Sequence, residues 1–209
     1  MHQMRFPAPT VRPAEAGDAA AIAGIYGPYV RETAISFETE PPTAATMAQR
    51  IARTLETHPW LVADCGGETI GYAYAGKYRE RAAYRWSVEV AIYVSAARRR
   101  SGVGRALYLP LLEVLRRQGF RSAFAEIVLP NPGSVRLHRA AGFKPIGIYD
   151  EIGFKLGRWH DIGFWRLGLA DATAPPGEPV PFAAFRETAA FAAALRSAHD
   201  RSDTASLPR

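Results

Sequence analysis

The chain has 209 residues, 48% of them hydrophobic, with a single cysteine and a formal net charge of +6. That length suits one well-buried domain rather than two full-sized ones, and no run approaches the roughly 20 apolar residues of a bilayer-crossing helix. Cys65 alone forms neither an intrachain disulfide nor a cysteine metal cluster, and the excess positive charge points to an anionic partner: nucleic acid, an anionic membrane or a phosphorylated cofactor.

Residues 1–10 read as an N-terminal extension that lacks the basic start and apolar run of a secretory signal, so a cytoplasmic protein is expected. Asp18 is placed to cap a first helix with Ile22, Ile25, Tyr26 and Tyr29 at helical spacing and Pro28 marking its last turn or a distortion. Thr43 is placed to cap a second, whose stripe of Met47, Ile51 and Leu55 ends before Pro59. Strand-like runs at 60–64 and 69–76 flank Cys65-Gly66-Gly67-Glu68, which reads as a hairpin turn.

From Trp86 to Val94 the sequence alternates strictly, with Trp86, Val88, Val90, Ile92 and Val94 on one face and Glu89, Ala91 and Tyr93 on the other. A helix follows, with Leu107, Leu111, Val114 and Leu115 on its apolar face, Pro110 expected to kink it and Gly119 to end it. Then come a strand at 122–129, the turn Pro130-Asn131-Pro132-Gly133-Ser134, a short helix at 134–141, and strands at 145–152 and 160–169 joined by a Gly-containing connection. This order predicts a mixed α/β (α+β) domain over residues 11–169 around one mostly antiparallel sheet. Residues 170–209 form an Ala/Pro-rich C-terminal extension. Pro175-Pro176-Gly177 reads as a linker, and 182–198 either docks as one helix through Phe182, Phe185, Ala189 and Ala192 or stays disordered.

Two features carry chemistry. The segment Arg99-Arg100-Ser101-Gly102-Val103-Gly104 joins a strand to a helix, and such a loop suits a diphosphate: glycines permit close backbone approach, successive N–H groups converge on the oxygens, and the helix N-terminus adds partial positive charge. It lacks the third glycine of a dinucleotide fingerprint and the Gly-Lys-Ser/Thr of a P-loop. Glu89 is a carboxylate within an apolar alternating strand, which is costly unless it faces a cleft or a partner. A structural ion pair with a nearby arginine is the alternative to a role in a site.

The loop resembles the Arg/Gln-x-x-Gly-x-Gly/Ala signature of the GNAT acetyltransferase superfamily. The stretches Leu129 to Phe143 and Gly153 to Trp165, with Ser36-Phe37-Glu38 and the run from Ala83 through Glu89 to Val94, resemble its phosphinothricin and methionine-sulfoximine acetyltransferase branch; together they cover Val11 to Leu169. The resemblance implies a sheet splayed at an acetyl-CoA site, with the cofactor held by main-chain groups of Ile92, Tyr93 and Val94 and by Arg99, Arg100, Ser101, Gly102, Val103 and Gly104. It also implies that Asn131 reaches the pantetheine arm with Ser134 nearby, although turn and helix-cap roles suit both equally. It makes Glu89 the general base that takes a proton from an acceptor ammonium, and His138 or Tyr108 the acid that protonates the departing thiolate, against a packing role for each. Arg79 and Arg81 are expected to grip an acidic group of the acceptor, with Phe37 and Tyr84 as its wall, against the alternative of a solvated basic loop, which is the reading taken for Lys77 and Arg85.

The expected activity is therefore acetyl transfer from acetyl-CoA to a small amino-acid-like amine, without a metal, by a homodimer bound to neither nucleic acid nor membrane, with a role in antibiotic or herbicide resistance. Lys77-Tyr78-Arg79-Glu80 and the extension after Leu169 depart from the family pattern and leave the acceptor open. Other acceptors weighed are a polyamine, an aminoglycoside and a peptide N-terminus. Other classes are a basic nucleic-acid-binding protein and a CoA-binding sensor without turnover.

Overall fold

The computed structural model describes residues 9–170 and 177–204; the N-terminal segment before them, and Pro175 and Pro176 of the expected linker, lie outside the described residues. A seven-stranded sheet runs in the order β1-β2-β3-β4-β5-β7-β6, comprising β1 (Thr10–Pro13), β2 (Trp60–Cys65), β3 (Glu68–Lys77), β4 (Ser87–Val94), β5 (Ser122–Leu129), β6 (Lys144–Lys155) and β7 (Arg158–Gly168). Every neighbouring pair is antiparallel except β4 with β5.

Helices α1 (Ala19–Glu32) and α2 (Ala44–Leu55) cover one face, where Ile22, Tyr26, Met47 and Ile51 pack on Trp60, Val62 and Tyr72. On the other face α3 (Val103–Gln118) buries Leu107, Leu111 and Leu115 against Ala73, Val88, Val90, Ala123 and Ala125. Leu137 of α4 (Pro132–Ala140) joins that second core. The alternation along β4 thus sorts as expected: Val88 and Val90 face α3, while Tyr93 faces Tyr26 and Tyr29 of α1. No helix among the described residues is long and apolar enough to cross a membrane.

Local chemistry explains most boundaries. Gly66 and Gly67 have φ of 62° and 83°, the pair of positive values a tight two-residue hairpin turn requires. The Thr43 side chain accepts from the Thr46 N–H at the start of α2. Several expectations are corrected. Asp18 does not cap α1; it closes a preceding 3-10 turn by accepting from the Glu15 N–H at 2.7 Å, and it pairs with Arg12. Pro28 neither ends nor sits in the last turn of α1, which continues to Glu32. Helix α4 begins two residues earlier than expected, because Asn131 rather than Ser134 supplies the cap. Strands β6 and β7 reach almost to each other, joined only by Leu156-Gly157.

The extension docks, but as two helices: α5 (Phe182–Phe185) and α6 (Ala189–Thr204). The Thr188 hydroxyl accepts from the Phe191 N–H, restarting the helix in a new phase. The buried face is therefore Phe182, Phe185, Phe191 and Ala194 on Val114 of α3, and Ala189 is exposed.

Candidate active site

Only three residue pairs join β4 to β5, namely Ser87 with Ser122, Val88 with Ala123 and Glu89 with Phe124. Beyond them both strands continue, β4 to Val94 and β5 to Leu129, so the sheet opens at Glu89 into a gap edged by unpaired main chain. Ile92, Tyr93 and Val94 lie along that edge. The ring of Tyr93 is turned away into the aromatic cluster with Tyr26, Tyr29 and Tyr72, so only its backbone faces the gap, and the Val94 carbonyl already accepts from the Tyr29 hydroxyl at 2.6 Å.

Glu89 stands at the apex of this gap, half-buried. Burial above all, then the neighbouring Glu126 carboxylate, raises its pKa against the opposing pull of Arg79. Among the described residues Glu89 has no ion pair; Arg79 lies 3.8 Å from Glu126 instead. The structural ion pair therefore belongs to the neighbour, and Glu89 sits in the last paired position of β4 and β5 without one among the described residues.

At the far end of β4 a 3-10 turn (Ala96–Arg98) leads into the glycine loop. Gly102 adopts φ 89° and Arg100 φ 63° at the turn into α3, whose first-turn N–H groups have no partner within the helix. A β-carbon at Gly104 would come within 3.3 Å of Leu137 and 3.9 Å of Ile92, so the loop lies tight against α4 and β4. The Ser101 hydroxyl donates to the Arg98 carbonyl, the Arg99 guanidinium sits 5.0 Å from the Tyr29 ring, and the Val103 side chain is buried. A loop of this shape, glycines at a helix start, suits a diphosphate. Five residues of strand, roughly 17 Å, separate Glu89 from Val94, so an anion clasped there leaves room for an extended arm reaching the carboxylate.

Residues 11–163 match the family described as "Acetyltransferase (GNAT) domain". The chain belongs to the GNAT acetyltransferase family. It is 43% identical over 166 residues to the phosphinothricin N-acetyltransferase of Streptomyces viridochromogenes, covering 79% of this chain and 90% of that one. Identity to the L-methionine sulfoximine/L-methionine sulfone acetyltransferase of Salmonella typhimurium is 36% over 167 residues, or 79% and 98%. A solved GNAT superfamily phosphinothricin acetyltransferase from Sinorhizobium meliloti, in complex with AcCoA, superposes with a TM-score of 0.79 at 40% identity over 83% of this chain and 95% of that one. The protein is an acetyl-CoA-dependent N-acetyltransferase, and the glycine loop and open β4 edge fit that cofactor.

Within this GNAT framework Asn131 accepts from the Ser134 N–H at 3.1 Å, so its cap role is real, and its amide N–H groups have no partner among the described residues. His138 and Tyr108 are brought together, with the Tyr108 hydroxyl 2.8 Å from His138 Nε2. His138 Nδ1 donates to the Ser134 carbonyl at 2.8 Å, so on a neutral ring Nε2 accepts from Tyr108. Both side chains are buried, at 3% and 1% exposure; burial lowers the His138 pKa, with the bond to the Ser134 carbonyl opposing, and burial raises that of Tyr108 well above its ordinary value.

On the acceptor side, Phe37 lies over Gly153, where a β-carbon would collide with its ring. Arg79, Arg81 and Tyr84 are exposed on the loop between β3 and β4. Lys77 and Arg85 are both exposed, as a solvated basic loop requires, and each also pairs with a carboxylate, Lys77 with Glu80 and Arg85 with Glu178. Three residues escaped the sequence reading. Tyr78 stacks on Phe124 with centroids 4.2 Å apart and meets Tyr84 edge-on, its ring also under the Arg79 guanidinium, and Glu126 lies beside Glu89. The one available signal was Phe124, a bulky ring between Ala123 and Ala125 on the strand face opposite the core.

Proposed function

We propose that this enzyme acetylates the amino group of a small amino-acid-like acceptor of the phosphinothricin or methionine sulfoximine type, with Glu89 as general base. The observation that carries the reading is the position of Glu89: half-buried where β4 and β5 part, without an ion pair, and with a raised pKa. A carboxylate so placed is a stronger base than an exposed one, and an ammonium must lose its proton before its nitrogen attacks an acyl group. Bound acetyl-CoA supplies the activated thioester. The chain's own residues do the rest. Glu89 takes the proton, Arg79 and Arg81 orient an acidic group of the acceptor, and Tyr78, Tyr84, Phe37 and Phe124 shield the amine from water. His138 or Tyr108 is the proton source for the departing thiolate, a role that requires the Tyr108 hydroxyl to turn its proton from His138 Nε2 toward the sulfur.

The names of the relatives support the acceptor class, and the paired arginines oppose a polycation. Incubation with acetyl-CoA and a panel of amino acids and their phosphinate and sulfoximine analogues, with detection of free thiol, tests it. Turnover restricted to acidic amino-acid-like amines is expected, and turnover on peptides alone would overturn it. Such an acceptor links the activity to antibiotic or herbicide resistance, and a metabolic cofactor in a chain with a single cysteine suits the cytoplasm.

The β6–β7 hairpin exposes Ile146, Ile148, Ile152, Phe154 and Trp159, each more than half accessible, at the sheet edge. A patch of this kind on an edge strand calls for cover, and a second copy of the chain provides it as a homodimer. Light scattering is expected to give twice the chain mass; a monomer would remove the dimer.

A further inference from the structure

We propose that the C-terminal extension fixes the position of the acceptor loop, with Glu178 acting through Arg85 as a positioning residue. The inference rests on the reading of residues 78–84 as the acceptor-binding loop. The family match ends at residue 163, before Gly177 and Glu178.

The extension is anchored on one side and grips the loop on the other. Its anchor is apolar and backbone-mediated. Phe182 and Phe185 are buried at 0% and 4% exposure, the Val180 N–H donates to the Gln118 carbonyl at 2.8 Å, and Gln118 Nε2 returns a bond to the Val180 carbonyl at 2.8 Å. The Phe182 N–H donates to the Thr57 carbonyl, tying the same segment to the end of α2. This ties residues 180–182 to the C-terminal ends of α2 and α3, which are rigid parts of the fold.

The grip lies just upstream. The Trp86 indole N–H donates to the Gly177 carbonyl at 2.8 Å, and Arg85 Nε donates to both carboxylate oxygens of Glu178 at 2.9 Å. The Arg85 guanidinium then does two further things. Its Nη1 donates to the Ala82 carbonyl at 3.0 Å, and its carbon lies 3.7 Å from the centroid of the Trp86 ring. Ala82 opens the single 3-10 turn (Ala82–Tyr84) that presents Tyr84, with Arg81 immediately before it. Glu178 therefore orients the guanidinium that fastens this turn, and the Trp86 carbonyl, which accepts from the Arg121 N–H, fastens its other end to the root of β5. The Arg85–Glu178 pair is exposed and adds little to global stability. Its effect is geometric: it fixes the Ala82–Tyr84 end of a loop whose other end is held by the stack of Tyr78 on Phe124.

The test is a double-mutant cycle in the full-length chain with Glu178→Ala, Arg85→Ala and both together, beside Arg79→Ala and Arg81→Ala. The readouts are KM for the acceptor, KM for acetyl-CoA, the melting temperature and hydrogen exchange of amides 78–86. Glu178→Ala is expected to raise the acceptor KM about threefold, the scale an exposed ion pair supports. It should also speed exchange in 78–86, with the acetyl-CoA KM and melting temperature unmoved. In the Arg85→Ala background it should add nothing further, since its effect passes through that side chain. If Glu178→Ala leaves the acceptor KM unchanged while Arg79→Ala and Arg81→Ala raise it, or if the two effects of the cycle simply add, the positioning role is wrong and the acceptor loop stands. If neither Arg79→Ala nor Arg81→Ala alters the acceptor KM, the acceptor-loop reading falls and takes this inference with it.

Discussion

Glu89 and Lys155 show how single side chains are set by what surrounds them. A carboxyl group whose folded pKa is raised lends stability only at pH below its ordinary value, and withdraws it as pH rises through the folded value. Ionised Glu89 is thus held at a cost to the fold, which Glu89→Gln removes. Burial disfavours the Lys155 charge too, lowering its pKa, but this ammonium is hydrogen-bonded, to the Val30 carbonyl at 2.6 Å and the Ser36 carbonyl at 2.5 Å, so that β6 holds the segment bearing Phe37. Lys155→Met leaves two carbonyls without their donor and is expected to destabilise by about 1–3 kcal/mol, read from denaturant melts. Glu89 was legible as the one carboxylate in an apolar alternating strand. Lys155, Tyr78 and Glu126 were not, because their partners are remote in sequence and no local pattern announces a stack or a bond across the fold.

At the scale of elements, those fixed by local chemistry were legible: the Gly66-Gly67 hairpin, α2 with its Thr43 cap, and the glycine loop leading into α3. Strand β1 was not. Its four residues carry no pattern of their own and are held by pairing with β2 and by the Arg12 bond to Asp64 at 2.7 Å. The break between α5 and α6 was also hidden, since Thr188 reads as an ordinary helix residue until its hydroxyl is seen accepting from Phe191. Docking of this extension rests on Phe182, which has no solvent exposure and meets Phe191 edge-on. Phe182→Ala is expected to cost about 3–5 kcal/mol in a thermal or denaturant melt. A change within experimental error would mean that α5 contributes nothing to the fold.

Across the whole molecule, a single parallel pairing in an otherwise antiparallel sheet creates the site. Two strands that share only three residue pairs must diverge, and the divergence leaves main-chain groups for a cofactor on one side and Glu89 with Phe124 at the root. The family resemblance anticipated this opening, whereas alternation and caps alone specify strands without their order. In the function proposed above, the aromatic and basic loop over the root, tied from behind to the extension, forms the acceptor side of the gap. The account turns on proton removal at Glu89, and the turnover of Glu89→Gln, measured beside its acetyl-CoA affinity by calorimetry, tests it most directly. The prediction is a fall in kcat of about a hundredfold or more with acetyl-CoA affinity unchanged and the melting temperature at or above that of the parent, along with loss of a pH limb lying above the ordinary glutamate range. Turnover within a few fold of the parent, with the same pH profile, would contradict it.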